Sequence, residues 1–550
     1  MTVLDDLVRA LDGPLELDEL VPITIQTDRC ELRVVCWSPG QSGSLHAHAA
    51  ASAFRVLRGT ATETVVGKRD RRWDVGDGAA TLEAGIVHQL ANCEAVPLVT
   101  LHAFACAPAA ASSSAGRRVA IVGGGFAGIA AAYHLLRRDL RVTVIERGPW
   151  LGRGIAYGVE SDIYRLNVPA SKMSIDPERP DDFVRWAGAE AAPSAFLSRS
   201  RYGAYVVDRL AEAVRAGPGK LRVVRGEVRA IDDDAAVLAD GRRIPAESVV
   251  LATGLEPRMS GSLLPADPRI IDAWDERALA TLPDRGQLVV LGSGLTALDV
   301  LAFLNARGYR GSVTIVSRRG LLPAPHVSQP SPIGPLPDAA AAAAPRELRA
   351  LIGWVRELVA DYAGRGARWQ HAIDSLRPHI GRLWRGLPAA DRARFVRDVR
   401  PFWDVLRHRA PPDLHELVER WRSEGRLERI AGTIAGCAPM PDRLDVTLRL
   451  ASGTRELAAD AIVRCIGPAL SRTEADAPLV RSLIETRRAA ADPAGLGIVT
   501  DEHGRVVDRD GKRSERLFAL GALRRASSWE TTAVPEIAAH AAALAKLVGS

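Results

Sequence analysis

Cysteine is scarce in this chain and never closely paired. The 550 residues hold six, Cys30, Cys36, Cys93, Cys106, Cys437 and Cys465, and no two are spaced C-x-x-C. That excludes a zinc ribbon and a local redox-active disulfide; small buried thiols suit most of these positions. Long apolar runs are also missing: none reaches the ~18–20 residues of a membrane-spanning helix. Charge of one sign is not in excess, because a formal net charge of +6 is small for this length and is carried by dispersed arginine. With aromatics at 5% and no basic stripe, a nucleic-acid partner is not expected. Met1–Leu20 is acidic and amphipathic, unlike a secretory leader, so the expected location is cytoplasmic.

What is present reads as several soluble domains. The stretch Cys106-Ala-Pro-Ala-Ala-Ala-Ser-Ser-Ser-Ala-Gly116 is small and patternless, which predicts a linker over 107–116 after a domain spanning 1–106. Within that first domain, Glu31–Trp37, Ala53–Leu57 and Leu98–Ala105 are short, β-rich and bounded by turn residues, predicting an all-β unit. Beyond the linker, strands alternate with helices, as in Val119–Val122 followed by Ala127–Arg138. That pattern predicts a parallel α/β sheet. A segment from about 337 to 428, rich in Ala, Arg, Trp and Leu at helical spacing, predicts a helical insertion.

Two Gly-rich turns carry the chemistry. Gly123, Gly125 and Gly128 follow the apolar strand Val119–Val122 as G-x-G-x-x-G. The first glycine permits a tight turn, the second lets the backbone approach a pyrophosphate, and the third lets helix and strand pack closely. Glu146 ends the next strand, 18 residues after Gly128, where a carboxylate binds ribose hydroxyls. The pattern returns at Gly292, Gly294 and Ala297 as G-x-G-x-x-A. Here the ribose position holds Ser317, followed by Arg318 and Arg319. Hydroxyl and guanidinium groups suit a 2′-phosphate that a carboxylate would repel, which favours NADPH over NADH. Two dinucleotide folds in one chain suit hydride transfer from nicotinamide to flavin. The expected layout is a double-Rossmann flavoprotein: an FAD domain over 117–286 and 469–550, and an NADPH domain over 287–468 that contains the insertion.

Ser248-Val-Val-Leu-Ala-Thr-Gly254, with Thr253 and Gly254, and Ala461–Pro468 resemble the crossover strands of two-dinucleotide flavoproteins. Arg516–Ala522, with Gly521, resembles the strand closing the FAD site, although Ala522 stands where such families carry Asp. Further stretches narrow the resemblance: Leu151-Gly-Arg-Gly-Ile-Ala-Tyr157 with Arg153, Leu166-Asn-Val-Pro-Ala170, Arg318–Pro323, Phe402–Arg409 and Trp529–Glu536. They are similar to a bacterial family of FAD/NAD(P)-binding proteins distantly related to the N-hydroxylating lysine and ornithine monooxygenases. The resemblance covers essentially 117–550 and implies FAD, NADPH and O2, with a flavin hydroperoxide shielded from water. Asn167 is then a candidate flavin-side contact, or equally a turn residue. Trp529 and Glu530 are candidates for a place over the flavin, and Trp529 equally for the core. Within the insertion, His408 and Arg409 are the polar candidates for shaping a substrate site.

The N-terminal half carries a second pattern. Gly40–His48 is G-x5-H-x-H and Gly85–Asn92 is G-x2-H-x3-N. His46 and His48 alternate onto one strand face, and His88 completes a facial three-nitrogen set suited to Fe(II). Both spacings are those of cupins. The acid many cupins add after H-x-H is replaced by Ser52. This arrangement, with Leu32–Gln41, Val56–Gly59, Thr62–Thr64 and Leu101–Phe104, resembles the thiol dioxygenases of the cysteine dioxygenase family over roughly 20–106. The resemblance implies an Fe(II) centre adding both atoms of O2 to a thiolate, with His102 hydrogen-bonding beside it. Ala53 and Phe104 preclude that family's Cys–Tyr crosslink. Its carboxylate-binding Arg has no clear counterpart, and Arg29, Arg33 and Arg55 are the nearby substitutes. The expected function is therefore a bifunctional oxygenase acting on a small thiol or amine metabolite, with a homodimer compatible with the sequence. The alternatives are a flavin reductase or dehydrogenase serving the cupin, a cupin that only binds or dimerises, and a cupin metal isomerase or decarboxylase.

Overall fold

A computed structural model describes residues 23–549 except 27–29, 38–40, 42–45, 48–50, 66–69, 84–85, 106–115, 139, 149–150, 190, 218–219, 255–262, 328 and 468–476; for 23–34, 46–47 and 104–105 it describes backbone only.

Among the described residues, the region from 23 to 105 forms strands and no helix, as its turn-bounded short runs predict. Nine strands form two antiparallel sheets: β1 (Ile23–Gln26), β2 (Cys30–Trp37), β4 (Ser52–Arg58), β7 (Ala80–Leu82) and β9 (Leu98–Ala105) in the order β1-β2-β9-β4-β7, and β3 (His46–Ala47), β5 (Thr60–Val65), β6 (Arg71–Asp74) and β8 (Val87–Ala91) in the order β3-β8-β5-β6. The alternating residues Ala61 and Glu63 of β5 turn inward, as period-2 side-chain direction requires. Trp37, Phe54, Trp73, Leu90 and Leu98 form one core cluster of this region.

The rest is built on two mainly parallel sheets, the first with an antiparallel edge strand at 505–507, accompanied by two three-stranded antiparallel sheets at 228–245 and 433–459. In the first, β10 (Arg118–Val122), β11 (Arg141–Glu146), β12 (Leu221–Arg225), β13 (Ser248–Leu251), β14 (Arg505–Val507) and β15 (Arg513–Ala519) stand in the order β12-β11-β10-β13-β15-β14. Val119, Ala120 and Ile121 are buried on both faces of this sheet, which is why its strands read as continuous apolar runs. Helix α1 (Phe126–Leu136) lies on one face, with Ala130, Ala131 and Ala132 fully buried. Small side chains there let α1 approach the sheet and let the C-terminal helix 534–549 pack against it. The C-terminal segment thus returns to the first sheet.

The second sheet orders its strands 270–272, 461–464, 287–291, 312–317 and 427–431. Helices at 338–342, 348–364, 369–375, 380–386, 389–394 and 400–407 make up the insertion, with Leu376, Trp384 and Trp529 among its core residues. Helix 412–423 and the first residues of strand 427–431 fall within the range expected for the insertion but belong to the second sheet's layer. Leu414, Leu417, Val418 and Trp421 pack with Leu298 and Leu301 of helix 295–306. The helical periodicity of 412–423 is the same on either side of that boundary, so sequence alone could not place it.

The two parallel-sheet units are tied together by buried contacts. Arg199 reaches Asp299 at 3.0 Å, and Tyr164 stacks on Phe303 with ring centroids 6.1 Å apart. Burial raises the Asp299 carboxyl to about 6, partly opposed by Arg199. Val87 of β8 joins the core cluster of the first sheet. Among the described residues, no helix is long and apolar enough to cross a membrane.

Candidate functional site

The first Gly-rich turn has the geometry its three glycines were expected to provide. Gly123 takes φ +104°, and a side chain there would overlap the Ala252 carbonyl. A Cβ at Gly128 would overlap the Gly123 carbonyl. The third glycine therefore exists to let α1 close on β10. Gly125 has only Gly154 Cα near the place of a side chain, at 3.7 Å. Its outer face is open for a phosphate to approach. Glu146 ties this loop together, accepting from Gly124 N–H at 2.5 Å and Gly148 N–H at 2.7 Å. The Leu151–Gly154 loop lies over the turn, with Gly152 N–H donating to the Gly124 carbonyl at 2.7 Å. Arg153 caps the short helix 154–157 in this loop.

The second turn repeats the first. Gly292 also takes φ +104°, and a side chain there would overlap the Cys465 carbonyl. Nothing lies within 4 Å of the place of a side chain at Gly294. Ala297 is fully buried in the helix that follows. The Ala252–Gly254 and Cys465–Ile466 segments thus abut the first glycine of their respective turns, with Thr253 Cα 3.2 Å from the Gly123 Cβ position. Gly521, at φ +70°, meets Ala127 of α1 at 3.2 Å, which brings the C-terminal strand end to the first turn. At the ribose position of the second turn, the Ser317 hydroxyl accepts from Ser293 at 2.8 Å. Arg318 and Arg319 are exposed. Arg319 stacks over Phe402 at 5.6 Å, linking this turn to the insertion.

These features define a two-dinucleotide-binding flavoprotein fold. A family described as FAD-NAD(P)-binding matches residues 120–256, which hold the first turn. The whole flavoprotein part has the fold of solved flavin monooxygenases. It superposes on the ornithine hydroxylase of Pseudomonas aeruginosa (TM-score 0.52, 17% identity, 79% of this chain and 99% of that one). It likewise matches the ornithine N-hydroxylase of Kutzneria sp. 744 (0.53, 15%, 78% and 98%). A third match is the FAD-bound cadaverine monooxygenase of desferrioxamine biosynthesis from Erwinia amylovora (0.55, 14%, 79% and 95%). A curated dihydrolipoyl dehydrogenase of Chlorobaculum parvum is 24% identical over 222 residues, which is 39% of this chain and 45% of that protein. The chain therefore spans less than half the length of this curated relative. All of these are named as oxidoreductases.

Between the two sheets, residues from distant stretches converge. His326 donates through Nε2–H to the Asn167 backbone carbonyl at 2.9 Å. The backbone around His326 pairs with Ala410, through His326 N–H to Ala410 O at 3.0 Å and Ala410 N–H to Ala324 O at 2.9 Å. Next to this junction, Glu530 accepts from the Trp403 indole at 3.2 Å and lies 3.5 Å from Arg407 Nε. Arg377 holds Glu536 through two nitrogens at 2.5 and 2.7 Å. Of the residues named as candidates from the sequence, Asn167 enters this region through its backbone carbonyl, and His408, Arg409 and Glu530 lie near it. Trp529 does not present itself as a free face: its ring is packed against Trp384 and Phe395, at 5.0 and 5.2 Å. It anchors the insertion to the C-terminal segment, the core role that was the alternative for it. His326, Asp374, Arg377 and Arg407 were not foreseen. The Arg-His-Arg triplet at 407–409 was the available signal, but helical charge is ordinarily solvated.

In the β region, His46 stands directly opposite His88 across the β3–β8 pair. His48 lies outside the described residues, as do the Gly40 and Gly85 turns. Among the described residues no cluster of His, Cys, Asp and Glu is placed to hold a metal. Position 52 holds no acid, and the Ser52 hydroxyl is buried without a hydrogen-bond partner. A carboxylate reaches His88 from another strand: Glu63, 4% exposed, lies 3.1 Å from His88 Nδ1 and accepts from the Trp73 indole at 2.9 Å. His102 stacks on Phe54 and bonds the Thr100 hydroxyl at 2.9 Å, while Thr100 accepts from the Trp37 indole at 2.7 Å.

Proposed function

We propose that this chain is an FAD- and NADPH-dependent monooxygenase acting on a small sulfur- or nitrogen-bearing metabolite. The observation that carries the reading is the repeated dinucleotide turn at Gly123 and Gly292, with Asn167, His326, Arg407, Arg409 and Glu530 gathered where the insertion meets the two sheets. The residues fit both cofactors. The Gly123–Gly128 turn with Glu146 would hold the FAD pyrophosphate and ribose. The open face at Gly294, with Ser317, Arg318 and Arg319, would hold NADPH. Arg153, Thr253, Gly254 and Gly521 border the first of these sites. Bound FAD supplies hydride acceptance from NADPH and electron transfer to O2. The chain's part is to bind and orient, and to exclude water with the insertion, whose apolar core closes one side of the junction. The relatives with this fold hydroxylate ornithine or act on cadaverine, which supports an amine-bearing substrate. Disulfide reduction finds no C-x-x-C pair here, and beyond residue 116 the cysteines are Cys437 and Cys465, 28 residues apart.

The N-terminal β region supports a second centre of cupin type, a three-His Fe(II) site built from His46, His48 and His88. Its two-sheet topology, the His46–His88 register and the Glu63 carboxylate at His88 favour it, because a carboxylate on the far nitrogen orients a ligating imidazole. His102 would then sit beside bound thiol.

The test uses the purified full chain with FAD, NADPH and labelled O2, screened against thiols and amines by mass spectrometry. Label in the product, lost in Gly125→Val, is the expected result. NADPH consumption that yields only hydrogen peroxide with every substrate would return the flavoprotein to a reductase serving the β region.

A further inference from the structure

We propose that Arg407 and Arg409 form a binding site for the carboxylate of a small ligand, where the helical insertion meets the FAD and NADPH domains. The inference rests on the oxidoreductase reading only for calling that ligand the substrate. Arg407 ends the insertion's last helix and Arg409 lies two residues beyond it, and both are buried, at 7% and 2% exposure. Yet their hydrogen-bonding capacity is largely unused. Nε and Nη2 of Arg407, and Nε and Nη1 of Arg409, are buried without a hydrogen-bond partner. Leaving a buried donor unmet costs roughly 1–3 kcal/mol, more when it is charged.

The surrounding carboxylates do not fill the gap. Glu536 is taken by both nitrogens of Arg377. Glu530 accepts from Trp403 and comes no closer to Arg407 than ion-pair distance, 3.5 Å. Asp374 bonds Arg409 through Nη2 alone. Neighbouring Arg377, on the same side, is fully engaged by a bidentate partner, which shows what Arg407 and Arg409 lack. A carboxylate presents two oxygens to a guanidinium fork and would supply it.

Arg377, Arg407 and Arg409 face Glu530, Glu536 and Asp374, and a carboxylate matches the planar fork that the unmet nitrogens of Arg407 and Arg409 present. His408 and Asp374 beside the pair have side chains 39% and 46% exposed, while the guanidiniums lie deeper. The cluster also adjoins the His326–Asn167 contact, so a carboxylate held here would place the rest of the molecule at the junction of the two domains.

The FAD-loaded full chain is titrated with propionate and, as an isosteric neutral control, propionamide, at constant ionic strength. Tryptophan emission is the readout, since Trp403 contacts Glu530 beside Arg407. Saturable quenching by propionate alone is expected, with affinity about tenfold weaker in Arg409→Gln and in Arg407→Gln. Arg409→Lys keeps the charge, loses the fork and is expected to bind weakly while folding normally; it stands in if a Gln variant loses FAD. NADP+ affinity, measured separately, stays within about twofold of wild type in each variant. Equal responses to propionate and propionamide, unchanged propionate affinity in the Arg409 variants, or a parallel tenfold loss of NADP+ affinity would each overturn the proposal. None of these readouts depends on oxygenation, so failure here is separable from failure of the monooxygenase reading.

Discussion

Gly128 and Gly294 occupy similar-looking motifs but do opposite physical work. At Gly128 a side chain would overlap the Gly123 carbonyl, a backbone atom that cannot swing aside. At Gly294 the same atom would meet nothing within 4 Å, and the space is that expected for a cofactor phosphate. Gly128→Ala should therefore lower the melting temperature and strip FAD, at a cost of about 1–3 kcal/mol or more for overpacking. Gly294→Ala should melt like wild type and raise the KM for NADPH about tenfold or more with FAD retained. Flavin absorbance, thermal melts and NADPH kinetics check both; a Gly128→Ala protein with full FAD and an unchanged melt would refute the close-packing role. At this scale the sequence was highly legible. G-x-G-x-x-G names its own geometry, and the structure supplied only which backbone carbonyl each glycine avoids. Glu63 was not legible, because a lone acid on an alternating strand reads as solvated until the partner strand brings His88 to it.

The segment 322–326 is the element that joins the domains, through its pairing with Ala410 and the His326–Asn167 contact. Burial, and then the charge of Arg409, hold the His326 imidazole down to about 4 from its ordinary 6.5. The unfolded chain takes up that proton near pH 6.5 while the folded chain resists until about pH 4. The stability it contributes is thus complete above pH 6.5 and is lost progressively as pH falls toward 4. His326→Gln retains a donor for the Asn167 carbonyl and removes the titration. Denaturant midpoints followed from pH 7 to pH 4 should fall less steeply in this variant than in wild type. Parallel profiles would mean that His326 does not titrate differently on folding. Neither this element nor the Arg407–Arg409 pair could be read from the sequence. Their partners lie 35 to 159 residues away on other elements, and a triplet of basic residues on a helix normally marks a solvated face.

On the scale of the whole molecule, the flavoprotein has its own cores around both sheets and the insertion, and the β region has separate clusters around Phe54 and Leu101. Val87 packing into the flavoprotein core is one link between them. A chain beginning at Arg117 should therefore fold, bind FAD and oxidise NADPH at a rate close to that of the full chain. Iron analysis of the full chain should find metal that both this truncation and His88→Ala lack. Metal-free full-length protein with unaltered activity would leave the β region as a binding or dimerisation module.

The sequence by itself determined the two dinucleotide turns, the β-rich character of residues 23–105 and the helical nature of the insertion. Each is set by local rules: a steric demand for glycine, and a two-residue or 3.6-residue apolar period. Only the tertiary structure decided where the insertion ends, that Trp529 is core, that a carboxylate reaches His88, and that two buried arginines are left short of partners. Those outcomes depend on which distant groups share a low-dielectric space. Burial and partnering make the chemistry there, and neither is written in the spacing of any one segment.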